Sequence, residues 1–514
     1  MPRADRLNVL LITSDQQHYD TLGVVNPRIR TPALDRLCRE GTRFDRAYCP
    51  NPTCSPTRAS LITGLYPSSH HCWAIGVKTP EDVPTLNHDL RAAGYRCSLV
   101  GKAHFQPLAS LPGTESESIE CQPTLRNLDF WRAFHGPWYG FDHVETARMH
   151  GDESHAGQHY GIWLEEQGLA DWRDYFQPWP CPKDFRAPYY DRARRSWSLP
   201  ERFHYNRWIT EKTIAQLERA AREDRPFFCW CSHFDPHPPY IVPEPWASMY
   251  RADEMVPGRF VDGEFDRMPP HFRKTREANP DFSMYREPGG HGLHGFHSHQ
   301  HSEEELKKDI ACYYGMIGFM DREIGRVLDR LDELGLAENT LVVFTTDHGH
   351  FLGQHGLIAK GAFHYEDMIR VPMMARLPGR IPAGRVSTAL QSLVDFAPTF
   401  LRAAGLPVPG RMQGLDQFDV WCGRKDSVRQ HVLVENRHNP TTVHLRTYVD
   451  RRYKLTVYRD QMYGELFDLE EDPRELHNRW DDTRYAAVKT RLLQAFVQAE
   501  IQREGTRMPR IAGA

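Results

Sequence analysis

The sequence predicts an α/β protein, on three observations. Four apolar, β-prone runs each stop at polar residues of catalytic type. Helical periodicity lies between the runs, and 514 residues at 40% hydrophobic and 26% charged suffice for a large domain plus a smaller one. The first run, Val9-Leu-Leu-Ile12, leads into Asp15 and Gln16. The second, Tyr95-Arg-Cys-Ser-Leu-Val100, leads into Gly101-Lys102-Ala-His104. The third, Pro226-Phe-Phe-Cys-Trp-Cys231, precedes His233-Phe-Asp235-Pro-His237-Pro-Pro-Tyr240, and the fourth, Thr340-Leu-Val-Val-Phe344, precedes Asp347-His348-Gly349-His350. Ligands of open α/β sheets sit outside the carboxyl ends of parallel strands, so the four clusters are expected to converge on one crevice.

The connecting segments follow the same logic. Ser302-Glu-Glu-Glu305 reads as a capping box, after which Leu306, Ile310, Ile317, Met320, Ile324, Val327, Leu331 and Leu334 recur at helical spacing until Gly335. From about 110 to 200 there is no clear period but many aromatics, among them Trp131, Trp138, Trp163, Trp172, Trp179 and Trp197; this is read as an irregular insertion serving as scaffold. Past residue 425 the pattern changes to short alternating strands, Val432–Glu435, Thr441–His444 and Tyr453–Tyr458, closed by Leu466-Phe-Asp-Leu469. Tyr485, Val488, Leu492, Phe496 and Val497 mark a final amphipathic helix. The expected division is a catalytic unit at 1–425 and a small α+β unit at 426–514.

Composition excludes some functions. A net charge of −4 gives no basic excess for a nucleic-acid partner. No segment has the length to span a bilayer, and Leu7–Ile12 is too short for a signal-peptide core, so a cytoplasmic protein without a membrane partner is expected. The eleven cysteines form no disulfide ladder. Cys229 and Cys231 are read as strand residues facing opposite sides.

Asp15, Asp347 and His348 are two carboxylates and an imidazole at strand ends, a set suited to one divalent cation, and Gln16 could add a carbonyl oxygen. Oxygen donors favour calcium or magnesium; the imidazole shifts the expectation towards manganese. In Cys54-Ser-Pro56-Thr-Arg58, Pro56 and Arg58 suit a helix start, with Cys54 at its amino terminus, where open N–H groups favour an oxyanion. Arg58 can add a fixed, permanently charged guanidinium to a nucleophile at residue 54. Lys102 and Lys360 are expected to face the non-bridging oxygens of a sulfate or phosphate. His237, in a Pro-rich turn, is placed to hand a proton to a leaving oxygen. The run Gly289–His301, with five histidines, is read as a solvated loop in preference to a pocket rim.

Together Asp15, Cys54-Ser-Pro-Thr-Arg58 with its trailing Thr63-Gly64, Gly101-Lys102-x-His104, Pro236-His237-Pro-Pro-Tyr240, Asp347-His348-Gly349 and Lys360 resemble the type I sulfatase family of the alkaline phosphatase superfamily, in order and over nearly the whole chain. The resemblance implies a large mixed central sheet flanked by helices. It also implies oxidation of Cys54 to Cα-formylglycine by the formylglycine-generating enzyme, with residue 54 among the metal ligands. The hydrated aldehyde would attack sulfur, His237 or Lys360 would assist the leaving alcohol, and His104 would deprotonate the remaining hydroxyl to release sulfate. A homo-oligomer would be unsurprising in such a chain. Three positions depart from the family pattern: Gln16 and His348 stand where sulfatases tend to carry Asp and Asn, and Thr57 where they carry Ser. The Gln16 and His348 pattern is similar to the phosphonate monoester hydrolases, whereas Lys102 and His104 resemble the sulfatase pair. The expected activity is therefore arylsulfatase-like hydrolysis of small sulfate esters, with side activity on phosphonate monoesters and phosphodiesters. The alternatives are the reverse emphasis, a carbohydrate sulfatase, and an unmodified oxyanion-binding protein without catalysis.

Overall fold

The computed structural model describes residues 6–108, 118–178, 195–223, 225–277, 281, 283–285, 301–439, 443–504 and 513. Its centre is an eight-stranded sheet of β1 (Asn8–Ser14), β2 (Thr42–Phe44), β3 (Arg96–Lys102), β4 (His143–Ala147), β5 (Phe227–Ser232), β6 (Thr340–Thr346), β7 (Met373–Arg376) and β8 (Arg385–Ser387). Their spatial order is β8-β2-β7-β6-β1-β5-β3-β4. The four apolar runs are the neighbours β6, β1, β5 and β3, all parallel, with Leu11 paired to both Trp230 and Val343, and Leu99 to Trp230. Antiparallel pairing of β7 with β6 and β2 makes the sheet mixed.

Both faces of the sheet are covered, so its central strands are apolar throughout rather than alternating. Leu10 and Ile12 pack with α1 (Pro32–Glu40), α3 (Tyr205–Glu223) and α4 (Glu303–Glu333); Val9 and Leu11 pack on the side of α2 (Cys54–Thr63) and α5 (Phe396–Ala403). Cys229 and Cys231 both join the first of these faces, while Phe228 and Trp230 join the second. The expectation that the two cysteines face opposite sides is thus corrected, because side chains alternate along a strand and residues two apart share a face. The described cysteines are free and buried.

Helix α4 starts at the expected capping box, Ser302 and Glu305 each bonding the other's backbone N–H, and buries Ile310, Ile317, Met320, Ile324, Val327 and Leu331. The aromatic-rich stretch is scaffold, with Trp131, Trp138, Trp163, Trp172 and Trp197 all buried; Trp179 lies outside the described residues. It is not irregular, however: it supplies the edge strand β4 and the helices Leu128–Ala133 and Gln158–Glu166. Elements of five, six and nine residues are too short to show a period in sequence. The loop Gly289–His301 lies outside the described residues up to 300.

The chain ends in a four-stranded antiparallel sheet, β9 (Val432–Asn439), β10 (Val443–Val449), β11 (Tyr453–Tyr458) and β12 (Gly464–Asp468). On it lies α6 (Ala486–Gln502), which buries Leu492, Phe496 and Ala499. Val497 is 57% exposed and falls off that face, and Thr441 lies outside the described residues. This sheet bears on the site: Glu435 in β9 donates its N–H to the Pro50 carbonyl and accepts from Asn51 Nδ2 at 2.6 Å, pinning the loop that leads into Cys54. Among the described residues no helix is long and apolar enough to cross a membrane.

Gly101 in β3 has φ +102°, and a Cβ there would lie 1.9 Å from the Ser232 carbonyl oxygen of β5. Its neighbour Lys102 enters the crevice only because the two backbones can approach this closely. Gly101→Ala is expected to lower stability by at least about 3 kcal/mol, read as a fall in Tm or as loss of soluble protein; a variant with wild-type Tm would contradict the packing.

Candidate active site

The strand ends and the start of α2 meet at one point. Asp15 follows β1, Lys102 ends β3, Asp347 follows β6, and Cys54 is the first residue of α2, with Thr53 as its N-cap. Asp15, Lys102, Asp347 and Cys54 are each at most 1% exposed. Three residues turn the chain sharply here in the left-handed region: Gln16 (φ 59°), His104 (φ 57°) and Ala359 (φ 57°), just before Lys360. Such backbone strain clusters where function requires an unusual turn. Thr57, where the family pattern has Ser, bonds the Asn51 carbonyl at 2.6 Å and so braces the first turn of α2.

Asp15, Cys54, Asp347 and His348 place one ligand atom each within 4.8 Å of one another. The bonds around them favour a cation. His348 Nδ1 lies 3.0 Å from the Gly349 carbonyl and so carries the proton, which leaves the Nε2 lone pair facing Cys54 Sγ at 3.2 Å. Gln16 gives its side-chain N–H to His350 Nδ1 at 2.8 Å, and His350 Nε2 bonds the Tyr240 hydroxyl at 2.6 Å. That chain turns the Gln16 Oε1 atom away, and it is buried without a hydrogen-bond partner. Two carboxylates, an imidazole lone pair and an orphaned amide oxygen fit one divalent ion of the calcium-to-manganese range.

Arg58 sits one helical turn beyond Cys54 and holds the carboxylates. Its Nε bonds Asp347 at 2.9 Å, one terminal nitrogen reaches Asp15 at 3.5 Å, and the other bonds the Lys102 carbonyl and the Ser232 hydroxyl at 2.9 and 2.7 Å. Lys102 Nζ bonds Asp15 and, at 2.7 Å, His150 Nε2. Burial would raise the Asp15 pKa, but the neighbouring cations Lys102 and Arg58 hold it well below the usual carboxylate range. Lys360 Nζ lies 3.2 Å from both Cys54 Sγ and His237 Nε2. Burial and Asp15 push the Cys54 thiol up, and Lys102 with Lys360 outweigh them, so its pKa is lowered.

Three imidazoles of the crevice are disfavoured in their charged form. Burial, reinforced by nearby cations, drops His104 and His237 well below the ordinary histidine value and His150 to about 4. His237 Nδ1 meets the Pro238 carbonyl at 2.5 Å, so its Nε2 accepts the Lys360 proton. His150 is locked between Glu153 and Lys102 and stacks on His237 with centroids 3.6 Å apart. His104 Nε2 accepts from Arg148 at 2.6 Å. Arg148, His150 and Ser232 lie in the candidate site although sequence reading did not single them out, and His350 was read only as the end of the fourth cluster. For Arg148 and His150 a signal existed, since both follow a strand as the other clusters do, but β4 was too short to recognise.

A sequence model described as sulfatase matches residues 7–406, and one described as the C-terminal part of N-sulphoglucosamine sulphohydrolase matches 353–502. The chain is 27% identical to an arylsulfatase of Clostridium perfringens, over 93% of this chain and 91% of that protein. It is 28% identical to the multifunctional alkaline phosphatase superfamily protein PehA of Trinickia caryophylli, over 94% and 93% respectively. The crystal structure of the phosphonate monoester hydrolase of Agrobacterium radiobacter superposes with a TM-score of 0.76 at 25% identity, covering 97% of this chain and 96% of that one. Matched over most of its length and folded about the same mixed sheet, the chain belongs to the sulfatase family, type I, of the alkaline phosphatase superfamily.

Proposed function

We propose that the protein hydrolyses sulfate monoesters of aryl or other small alcohols after Cys54 is oxidised to Cα-formylglycine, with phosphonate monoesters and phosphodiesters as further substrates. The observation that supports this best is the position of Cys54: a buried side chain at the first residue of a helix, 3.2 Å from both the His348 lone pair and the Lys360 ammonium. The oxidised residue supplies a hydroxyl nucleophile that a thiol cannot, and a divalent cation held by Asp15, Gln16, Asp347 and His348 supplies Lewis-acid stabilisation of charge on oxygen.

The chain's own groups divide the remaining work. Arg58 holds the Asp15 and Asp347 carboxylates in place. Lys102 and Lys360 present ammonium groups to the sulfate oxygens, and the helix start adds open backbone N–H groups. Lys360 is the proton carrier facing the leaving alcohol, because neutral His237 already spends its Nε2 lone pair on it. His104 carries its proton on Nδ1 while Arg148 holds Nε2, so it enters sulfate release as a donor, and as a base only once Arg148 lets go. The phosphonate-first reading is favoured by Gln16, since an amide in place of a carboxylate leaves the metal site less negative towards a phosphorus oxyanion. The full-length likeness to a phosphonate monoester hydrolase also supports it. Sulfate and phosphoryl transfer both spread charge over non-bridging oxygens, so one cationic crevice can serve both.

Co-expressed with a formylglycine-generating enzyme, the tryptic peptide containing residue 54 is expected to show the aldehyde or its hydrate by mass spectrometry. Cys54→Ala should lose turnover at unchanged Tm; a clean thiol in an active enzyme would refute the assignment. Lys360→Ala should cost on the order of 10²–10⁴ in kcat/KM for alkyl sulfates and much less for nitrophenyl sulfate; equal losses on both would remove Lys360 from leaving-group protonation. Elemental analysis should find one divalent ion per chain, lost together with activity in Asp347→Ala; metal content unchanged by that substitution would move the ion elsewhere.

A further inference from the structure

Among the described residues of the site, two cations make no hydrogen bond to a carboxylate: Lys360, which faces Cys54 and His237, and Arg148, which faces only a histidine. Arg148 stands directly after β4, beside the Lys102–Ala147 pairing, and is 5% exposed. One terminal nitrogen donates to His104 Nε2 at 2.6 Å, and Nε is buried with no partner. The nearby carboxylate of Glu120 feels the charge of Arg148, but its two oxygens are taken by the backbone N–H groups of His104 and Gln106 at 3.1 and 2.8 Å. By contrast Arg58 pairs with Asp347, Lys102 pairs with Asp15, and Lys360 faces residue 54. His104, protonated on Nδ1 because Nε2 accepts, has no partner there either. Two directly bonded side chains therefore hold two buried N–H donors without acceptors among the described residues.

A buried guanidinium opposite a neutral imidazole is costly unless a ligand brings the missing charge. A sulfate monoester brings one negative charge, and Lys102 and Lys360 already confront it. We propose that Arg148 and His104 form a second oxyanion subsite beside residue 54, and that the substrate is a sulfate ester whose alcohol carries a second oxyanion, a carboxylate or a further sulfate. The planar fork of an arginine suits either group. This assignment rests on the sulfate-ester reading of the same site, and its test separates the two.

The test is calorimetric binding to metal-loaded Cys54→Ala, which cannot turn ligands over. The ligands are 2-, 3- and 4-carboxyphenyl sulfate with their methyl esters, and 1,2-phenylene disulfate with phenyl sulfate. At least one doubly charged ligand should bind about tenfold or more tightly than its singly charged counterpart. The advantage should fall below about twofold when Arg148→Met is added, and survive in part with Arg148→Lys. Carboxylate and disulfate arms identify which oxyanion is preferred. Equal affinity of singly and doubly charged ligands in Cys54→Ala, a result that needs no second substitution, would overturn the subsite, as would a preference that persists in Arg148→Met of unchanged Tm. If the preference is present but formylglycine-containing protein cleaves none of the esters, the subsite stands and the hydrolase reading falls.

Discussion

Two fully buried carboxylates side by side are the constraint from which the rest of this molecule follows. Asp15 and Asp347 come directly after Ser14 and Thr346, which pair across neighbouring parallel strands. In a water-poor interior two adjacent negative charges repel strongly, and each is expensive to bury unpaired. Arg58 answers both, and Lys102 answers Asp15. To bring its guanidinium there, α2 must turn the Arg58 face towards the strand ends. Residues four apart share a helix face, so the same rotation delivers Cys54 to the crevice at the helix start. The Cys-x-Pro-x-Arg spacing thus has a mechanical meaning in the folded chain: one side chain anchors the helix on the carboxylates, and the other is presented to them.

Much of this was legible in sequence because the information was local. Strands buried on both faces print as apolar runs, and polar residues that terminate them print as breaks, so β1, β3, β5 and β6 and the crevice at their ends could be read directly. The capped helix α4 was equally plain, since thirty-one residues hold many turns of one period. What escaped were elements too short to show a period, above all β4, and with it Arg148 and His150. Also hidden was what each charged group bonds. The sequence suggests that Arg58 serves the nucleophile; only packing shows its described hydrogen bonds going to Asp347, Asp15, Lys102 and Ser232.

Burial also redistributes protons in a way residue type does not disclose. A histidine near neutral pH is the customary general acid, yet His104, His150 and His237 all sit where burial disfavours their charged form and neighbouring cations disfavour it further. The crevice therefore keeps its positive charge on lysine and arginine, and uses imidazoles as neutral spacers that direct hydrogen bonds. The stacked pair His150 and His237 connects Lys102 to Lys360 without adding charge between them.

The same economy governs the two departures at the candidate metal site. Gln16 and His348 each carry an N–H at one end and a lone pair at the other, so either could turn its wrong end towards a cation. Each is prevented from doing so by one bond. The Gly349 carbonyl takes the His348 Nδ1 proton, and His350 takes the Gln16 amide N–H while Tyr240 fixes the far side of the His350 ring. A carboxylate presents oxygen whichever way it rotates, so it needs no such orienting partner; an amide does. His350, two residues after His348, is the group that orients the Gln16 amide here, so the segment Asp347–His350 brings together a carboxylate, an imidazole and that orienting partner. An amide in place of a carboxylate lowers the negative charge at the candidate metal site by one, and with Lys102, Lys360 and Arg148 nearby that difference would favour an anion of higher charge.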